Sequence, residues 1–277
     1  MMTGGDNVLD QNIDRSAAAQ AAPGAGGAPV VSAANLGKVF GSTIAVEDAS
    51  FEIRKGEFVS IVGPSGCGKS TLLKMIAGLL DRSEGHLAVN GDTVSGPRRD
   101  VGVMFQKPTL LEWKTVIENV LLPAKLSGRL GPEDREEAEQ LLDLVGLEDF
   151  GNAFPQHLSG GMQQRVALAR LLKIGADILL LDEPFGALDE FTREHLNLEL
   201  SRITNDAHRT TVFVTHNISE AIFLADKVFV MTPRPGRLAA VVDVPFERPR
   251  DLSLLGDHAF ADLVAQVREI FAKGGVQ

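Results

Sequence analysis

The chain has a single cysteine, Cys67, among its 277 residues. A disulfide framework is therefore impossible, and a lone thiol suits a reducing cytoplasm. Long apolar runs are missing too. Stretches such as AIFLA at 221–225 stop after a few residues, whereas a transmembrane helix needs roughly 18. No segment is expected to span a bilayer. The N-terminus lacks a basic start followed by an apolar core, so no secretory signal is expected. Basic charge is in deficit, with 27 Lys and Arg against 37 Asp and Glu and a net charge of −10. That balance argues against nucleic acid as the main partner, because a phosphate backbone needs a basic footprint. It also argues against simple electrostatic attachment to anionic lipid. Internal repeats are absent. What remains is an ordinary globular composition, 44% hydrophobic and 23% charged, over a length near the upper limit for one core. One lobed domain or two closely packed ones are expected.

Residues 1–30 are rich in Ala, Gly, Gln and Asp and have no periodicity, which predicts a disordered tail. The folded part begins near Val31. TIAVEDASFEI (43–53) alternates like half-buried strands, and KGEFVSIV ends in a short apolar strand. TLLKMIAGLL (71–80) reads as a helix, with Leu72, Met75 and Leu79 at spacings of three and seven. VNGD (89–92) holds the Asn-Gly pair of a tight hairpin. A helix follows between Pro132, suited to a first helical position, and Gly146, suited to a C-terminal cap, with Ala138, Leu141, Leu142 and Val145 on one face. ADILLLDEP (176–184) and TTVFVTH (210–216) are apolar on both faces, as in a parallel sheet covered by helices. A last amphipathic helix runs near 258–273, its stripe of Phe260, Leu263, Val264, Val267, Ile270 and Phe271 suited to packing on its own domain.

The stretch VGPSGCGKST (62–71) follows one of the apolar strands. Gly63-Pro64-Ser65-Gly66-Cys67-Gly68-Lys69-Ser70 fits G-x-x-x-x-G-K-[ST]. Its glycines permit positive φ and let backbone N–H groups close around an anion. The helix opening at Thr71 points its positive end at the same place. Lys69 supplies full charge for the β- and γ-phosphates, and Ser70 can hold Mg²⁺. The loop predicts nucleotide binding, but GTPases, kinases, helicases and transport ATPases all share it. A second element narrows the field. ILLLDEP sets Asp182 and Glu183 at the C-terminal end of a buried strand, where open α/β sheets bind ligands. Asp182 can hold Mg²⁺ through water, leaving Glu183 to orient and activate an attacking water.

The third element is LSGGMQQRVALAR (158–170). Ser159 and two glycines precede an apolar-striped helix, so this is another helix N-terminus with free N–H groups. With it the sequence resembles the ATP-binding cassette (ABC) ATPases over about residues 33–250. A P-loop followed by LSGG, 23 residues ahead of the Walker B aspartate (182 − 159), is a specific combination.

The resemblance implies an α/β fold, a P-loop NTPase (ABC ATPase) core with a mainly parallel sheet, an antiparallel β subdomain and a helical subdomain. It places the ATPase domain at 31–252, the helical subdomain at about 107–170 and a C-terminal helical extension at 253–277. By the same analogy Phe40 stacks on adenine, and Gly63, Pro64, Ser65, Gly66, Cys67, Gly68, Lys69, Ser70 and Thr71 cradle the phosphates. Gln106 is the Q-loop glutamine, a catalytic group and, with Ser70 and Asp182, a ligand for Mg²⁺. Glu183 and His216 are the other catalytic residues. Two copies pair head to tail, so that ATP lies between the P-loop of one and Ser159, Gly160, Gly161 and Asp189 of the other. Some positions depart from the commonest pattern: Phe40 where tyrosine is frequent, Met162 for Gln in the signature, and Asn217 for Asp after the switch histidine.

FQKPTLLEWKTVIENV (105–120) and MTPRPGRLAAVVDVPFERPRD (231–251) are similar to ATPases serving nitrate, sulfonate, taurine and thiamine-precursor importers. That subfamily often reads LLPW where this chain has Glu112 before Trp113. The resemblance implies transmembrane permease subunits as partners, an extracytoplasmic solute-binding protein acting indirectly, and a peripheral place on the cytoplasmic face of the inner membrane. Other readings are the ATPase of an exporter or lipid-trafficking system, or a cassette ATPase acting on DNA or ribosomes. The last usually carries long coiled-coil insertions or two cassettes, whereas Lys69 and Ser159 are 90 residues apart (159 − 69).

Overall fold

The computed structural model describes residues 28–128 and 130–274. The expected tail at 1–30 falls almost entirely outside them. In chain order the elements are strands β1 (Val31–Phe40), β2 (Thr43–Ile53) and β3 (Phe58–Val62), helix α1 (Lys69–Ile76), and strands β4 (Glu84–Val89), β5 (Asp92–Thr93) and β6 (Val101–Met104). Helices α2 (Val116–Val120), α3 (Leu122–Leu126), α4 (Pro132–Leu144) and α5 (Gly160–Ile174) follow. The chain then alternates through β7 (Ile178–Asp182), α6 (Glu190–Asp206), β8 (Thr210–Thr215), α7 (Ile218–Leu224), β9 (Lys227–Met231), β10 (Leu238–Asp243) and α8 (His258–Gly274).

Two sheets result. The smaller is antiparallel, in the order β2-β1-β4-β5, and its β4–β5 turn is the Asn-Gly hairpin, with Asn90 and Gly91 both at positive φ. The larger runs β10-β9-β3-β8-β7-β6 and is parallel except for β10, which pairs antiparallel with β9 at the edge.

The central strands are apolar at successive positions because both faces are covered. On β7, Ile178 and Leu180 join a cluster with α1 and the antiparallel sheet, while Leu179 and Leu181 join a second cluster with the helices. On β8 the split is Val212 and Val214 against Phe213. That second cluster runs on without a break through Val116 and Val120 of α2, Ala138 and Leu142 of α4, and the buried face of α5. It also takes in Phe260, Leu263, Val264 and Val267, so the stripe of α8 packs on its own domain.

Helix α1 differs from the sequence reading. It starts two residues earlier, at Lys69, and ends at Ile76. Gly78, at φ +69°, closes it, with Leu79 N–H donating back to Lys74 O at 3.0 Å. Leu79 consequently lies past the helix and is 46% exposed rather than in the core. Helix α4 follows expectation, with Pro132 first and Gly146 at φ +64° beyond its end.

Residues 246–251 form a strap across the base of the sheet. Arg248 pairs with Asp226 at 2.8 Å. Arg250 is buried and, among the described residues, has no carboxylate within 4.0 Å; its guanidinium donates to the carbonyls of Ile222, Phe223 and Ala225 at the end of α7 and to Phe246 O.

Candidate functional site

Strand β3 delivers the chain into residues 63–68, and α1 begins at the next residue. The N-cap of α1 is Gly68 at φ +102°, and a Cβ there would stand 2.6 Å from Ala45 O. Only glycine fits both the dihedral and the close approach. Lys69 is 6% exposed, and its Nζ donates to Gly63 O at 2.8 Å and Pro64 O at 3.0 Å. The ammonium thus lies curled within the loop. Cys67 is buried in the loop's floor, where burial pushes its thiol pKa up.

The parallel register sets the ends of β3, β7 and β8 side by side, which brings together residues far apart in sequence. Ser70 Oγ donates to Asp182 Oδ1 at 2.9 Å. Asp182 is 4% exposed; burial raises its pKa, the charge of Glu183 adds to the rise, and the Ser70 hydroxyl opposes it. Glu183 sits in the left-handed region at φ +48°, its N–H tied to Val214 O at 2.9 Å. This conformation is uncommon for a residue with a side chain. Its Oε2 accepts from Gln106 Nε2 at 3.1 Å and lies 3.6 Å from His216 Nδ1. Two carboxylates, a hydroxyl, an amide and an imidazole therefore converge beside a phosphate-type loop.

A cavity of about 360 Å³ opens over Ser70, Gln106 and Glu183, while Asp182 and His216 stand outside its wall, His216 in a small adjoining pocket that shares Glu183. The cavity's wall includes Ser65, Gly66, Gly68, Lys69, Ser70, Thr71, Gln106 and Glu183, and on the far side Phe40 and Thr43. Phe40 is 47% exposed at the end of β1, so its ring is available to a planar ligand. Residues 159–161 and Asp189 do not line this cavity. Ser159 caps α5 by accepting from Met162 N–H at 3.3 Å, and around Gly160 the space is open. Asp189 caps α6; the backbone N–H and hydroxyl of Thr192 hold its carboxyl below the usual range. One chain thus carries two separate anion-suited surfaces, and the structure does not join them.

Four contributors escaped the sequence reading. Arg234 and Thr43 line the cavity. Gln164, buried on α5, donates to Gln106 O at 3.3 Å and accepts from Ala187 N–H at 3.3 Å, linking the loops after β6 and β7. Glu220, 8% exposed, accepts from the Thr215 hydroxyl and from Asn197 Nδ2, while Asn217 N–H donates to that same hydroxyl. This network fixes the turn that carries His216. The signal for Gln164 was its place in the signature helix; for Glu220, a carboxylate in a mostly apolar helix.

Fold and site together define a nucleotide-hydrolysing cassette of the α/β P-loop type. Residues 46–186 match the family model described as ABC transporter, and the chain belongs to that family as an ATP-binding, ATP-hydrolysing member. It is 46% identical over 237 residues to a taurine import ATP-binding protein, TauB, of Rhizobium johnstonii, covering 83% of this chain and 90% of that one. It is 38% identical over 239 residues to an aliphatic sulfonates import ATP-binding protein, SsuB, of Bacillus cereus, covering 86% and 93%. Among solved structures it is similar to the dimeric post-hydrolysis state of the cassette MJ0796 bound to ADP and Pi. There the TM-score is 0.72 at 33% identity, over 78% of this chain and all of the other.

Proposed function

We propose that this chain is the ATPase subunit that energises import of a small solute, of the taurine, sulfonate or nitrate type, through a separate permease. The observation that carries the reading is the joining of Ser70–Asp182 to Glu183–Gln106–His216 at adjacent strand ends. Relatives named for taurine and sulfonate import support the solute class. In this reading the ATPase domain spans 31–252, with a helical subdomain near 107–170 and a C-terminal helical extension.

The P-loop N–H groups and Lys69 hold the phosphates, and Phe40 stacks on the base. Glu183 accepts a proton from the attacking water while Gln106 and His216 fix its carboxylate and the terminal phosphate. Ser159, Gly160, Gly161 and Asp189 complete the site from a second copy, which accounts for their distance from the cavity. Among the described residues no cluster of three or more His, Cys, Asp or Glu forms an all-protein metal cage. Ser70, Asp182 and Gln106 instead offer a few hard oxygen donors, which suits Mg²⁺ shared with substrate phosphates. The ion supplies neutralisation of phosphate charge.

Among the described residues no helix is long and apolar enough to cross a membrane; in this reading a separate permease spans the bilayer and this chain sits peripherally on its cytoplasmic face. A groove of about 900 Å³ between α3, α4 and α5 suits such docking, with Leu126 on its rim 79% exposed. Trp113 is 73% exposed in the segment leading to α2, as a docking anchor would be and a partly buried core ring would not.

The test is a pull-down of tagged E183Q chain with MgATP from detergent-solubilised cells, alongside its turnover. Loss of the base should lower kcat by about 10²–10⁴-fold while ATP binding persists, and a multispanning permease should co-purify. Normal hydrolysis would refute the role of Glu183. Capture of ribosomes or DNA in place of a permease would refute the transport role.

A further inference from the structure

Strand β9 lies beside β3 in parallel, with Val230 opposite Val62. The loop leaving β9 therefore emerges next to the phosphate loop leaving β3, although some 170 residues separate them. That loop, residues 232–237, is a closed hairpin. Thr232 N–H donates to Arg237 O at 2.9 Å, and the Thr232 hydroxyl donates to Pro235 O and accepts from Arg237 N–H. It is pressed against its surroundings. A Cβ on Gly236 would stand 1.8 Å from Cys67 O. Gly236 N–H donates to Ala45 O at 3.2 Å, and its carbonyl accepts from Glu47 N–H at 3.0 Å. The hairpin is thus pinned between β2 and the phosphate loop, and what projects from it has a fixed root.

Arg234 projects from it. Its Nη2 donates to Gly66 O at 3.2 Å, and the side chain forms part of the same cavity wall as Phe40, Lys69 and Gln106. Some arginines of the fold pair with carboxylates, as Arg237 does with Glu47 at 3.0 Å and Arg248 with Asp226 at 2.8 Å, and others such as Arg82, Arg165 and Arg250 rest on backbone carbonyls away from the cavity; Arg234 differs from these in lying in the cavity's wall. Among the described residues Arg234 pairs with no carboxylate within 4.0 Å. Its polar partner is a neutral carbonyl of the phosphate loop, just as Lys69 rests on the carbonyls of Gly63 and Pro64. A guanidinium binds a phosphate oxygen more strongly than a neutral carbonyl, through a planar fork that can engage two oxygens at once.

We propose that Arg234 is a further nucleotide-binding residue of this site, its guanidinium engaging the phosphate oxygens of ATP beside Lys69. The proposal rests on the ATP-site reading above and adds a second cation to it, supplied by the β9–β10 hairpin. The competing role is mechanical, a staple that holds the hairpin to the phosphate loop and never touches the ligand.

The two roles separate in equilibrium binding of ATP, ADP and adenosine to the full chain, with the melting temperature of each variant measured before nucleotide is added. Loss of one charge-assisted contact should weaken ATP and ADP by about tenfold in R234A. Adenosine should move by less than about twofold, R234K should recover part of the loss, and the melting temperature should stay within about 2 °C. ATP affinity unchanged in R234A would overturn the proposal. So would an equal loss for ATP and adenosine accompanied by a lower melting temperature, the signature of a staple. K69A is the control on the site itself: if K69A bound ATP like the wild type, the reading of the cavity would fail first, and this proposal with it.

Discussion

Replacing Arg250 by Met keeps an unbranched stem and removes one buried guanidinium. That group is 6% exposed and donates to Ile222 O at 2.8 Å, Phe223 O at 2.8 Å and Ala225 O at 2.9 Å. The substitution strands three carbonyls at the C-terminal end of α7. A buried carbonyl without a donor costs about 1–3 kcal/mol, so three cost about 3–9. An opposing contribution comes from the charge itself. Burial lowers the Arg250 pKa from the ordinary guanidinium value to about 10, and at about 1.4 kcal/mol per tenfold in proton affinity that drop is about 3 kcal/mol of folded-state penalty which Met removes. The midpoint of the difference is a net loss of about 3 kcal/mol. For a chain of this size that lowers the melting temperature by about 6–12 °C. Thermal melts of wild type, R250M and R250K at neutral pH make the measurement. Lysine reaches fewer of the carbonyls at once and should fall between the two. Because α7 starts directly after the turn bearing His216, ATP turnover well below the melting range should fall in the same order. A shift under about 2 °C for R250M would show that the carbonyls recover donors unaided, and would refute the clamp.

Two more variants probe the groups behind the site. Burial raises the Glu220 pKa, partly opposed by its bonds from Thr215 and Asn197. A carboxyl raised in the folded state adds stability below its unfolded value and loses it as pH climbs through the folded value. The melting temperature of E220Q relative to wild type should therefore rise as pH climbs above the ordinary Glu value of about 4, and a flat difference would contradict the assignment. Q164A severs both bonds that link Gln106 O and Ala187 N–H. It should lower kcat by about tenfold and leave ATP affinity within about twofold; weakened binding at full kcat would show that Gln164 supports the cavity and not the alignment.

The chemistry-bearing residues were legible where they were local. The run 63–71 announces its loop and helix by spacing alone, and ILLLDEP announces a buried strand ending in acids. Other features depended on which strands neighbour which. Nothing in TPRPGR (232–237) says that β9 borders β3, so Arg234 could not be set beside Gly66 from spacing. The link through Gln164 was equally hidden, since it touches backbone groups 58 residues before and 23 after it. The end of α1 was missed because the apolar spacing continues through Leu79, whereas Gly78 turns the chain to left-handed backbone. The acid at 183 was found by its motif, but its positive φ follows from the turn that β7 must make toward Gly186 and is visible only in the fold.

The thiol of Cys67 lies 1% exposed in the floor of the phosphate loop, and burial pushes its pKa up, both of which disfavour attack by labelling reagents. For spectroscopy the natural chain should therefore react slowly with maleimides and nitroxide reagents. A reporter cysteine can be added without first removing a native one, and without disturbing the loop that the native one floors. Phe191, 85% exposed at the start of α6 and two residues past Asp189, is a suitable host. A spin label or fluorophore at F191C would sit where a second copy is expected to approach, and the distance between two such labels would record opening and closing through each round of ATP use.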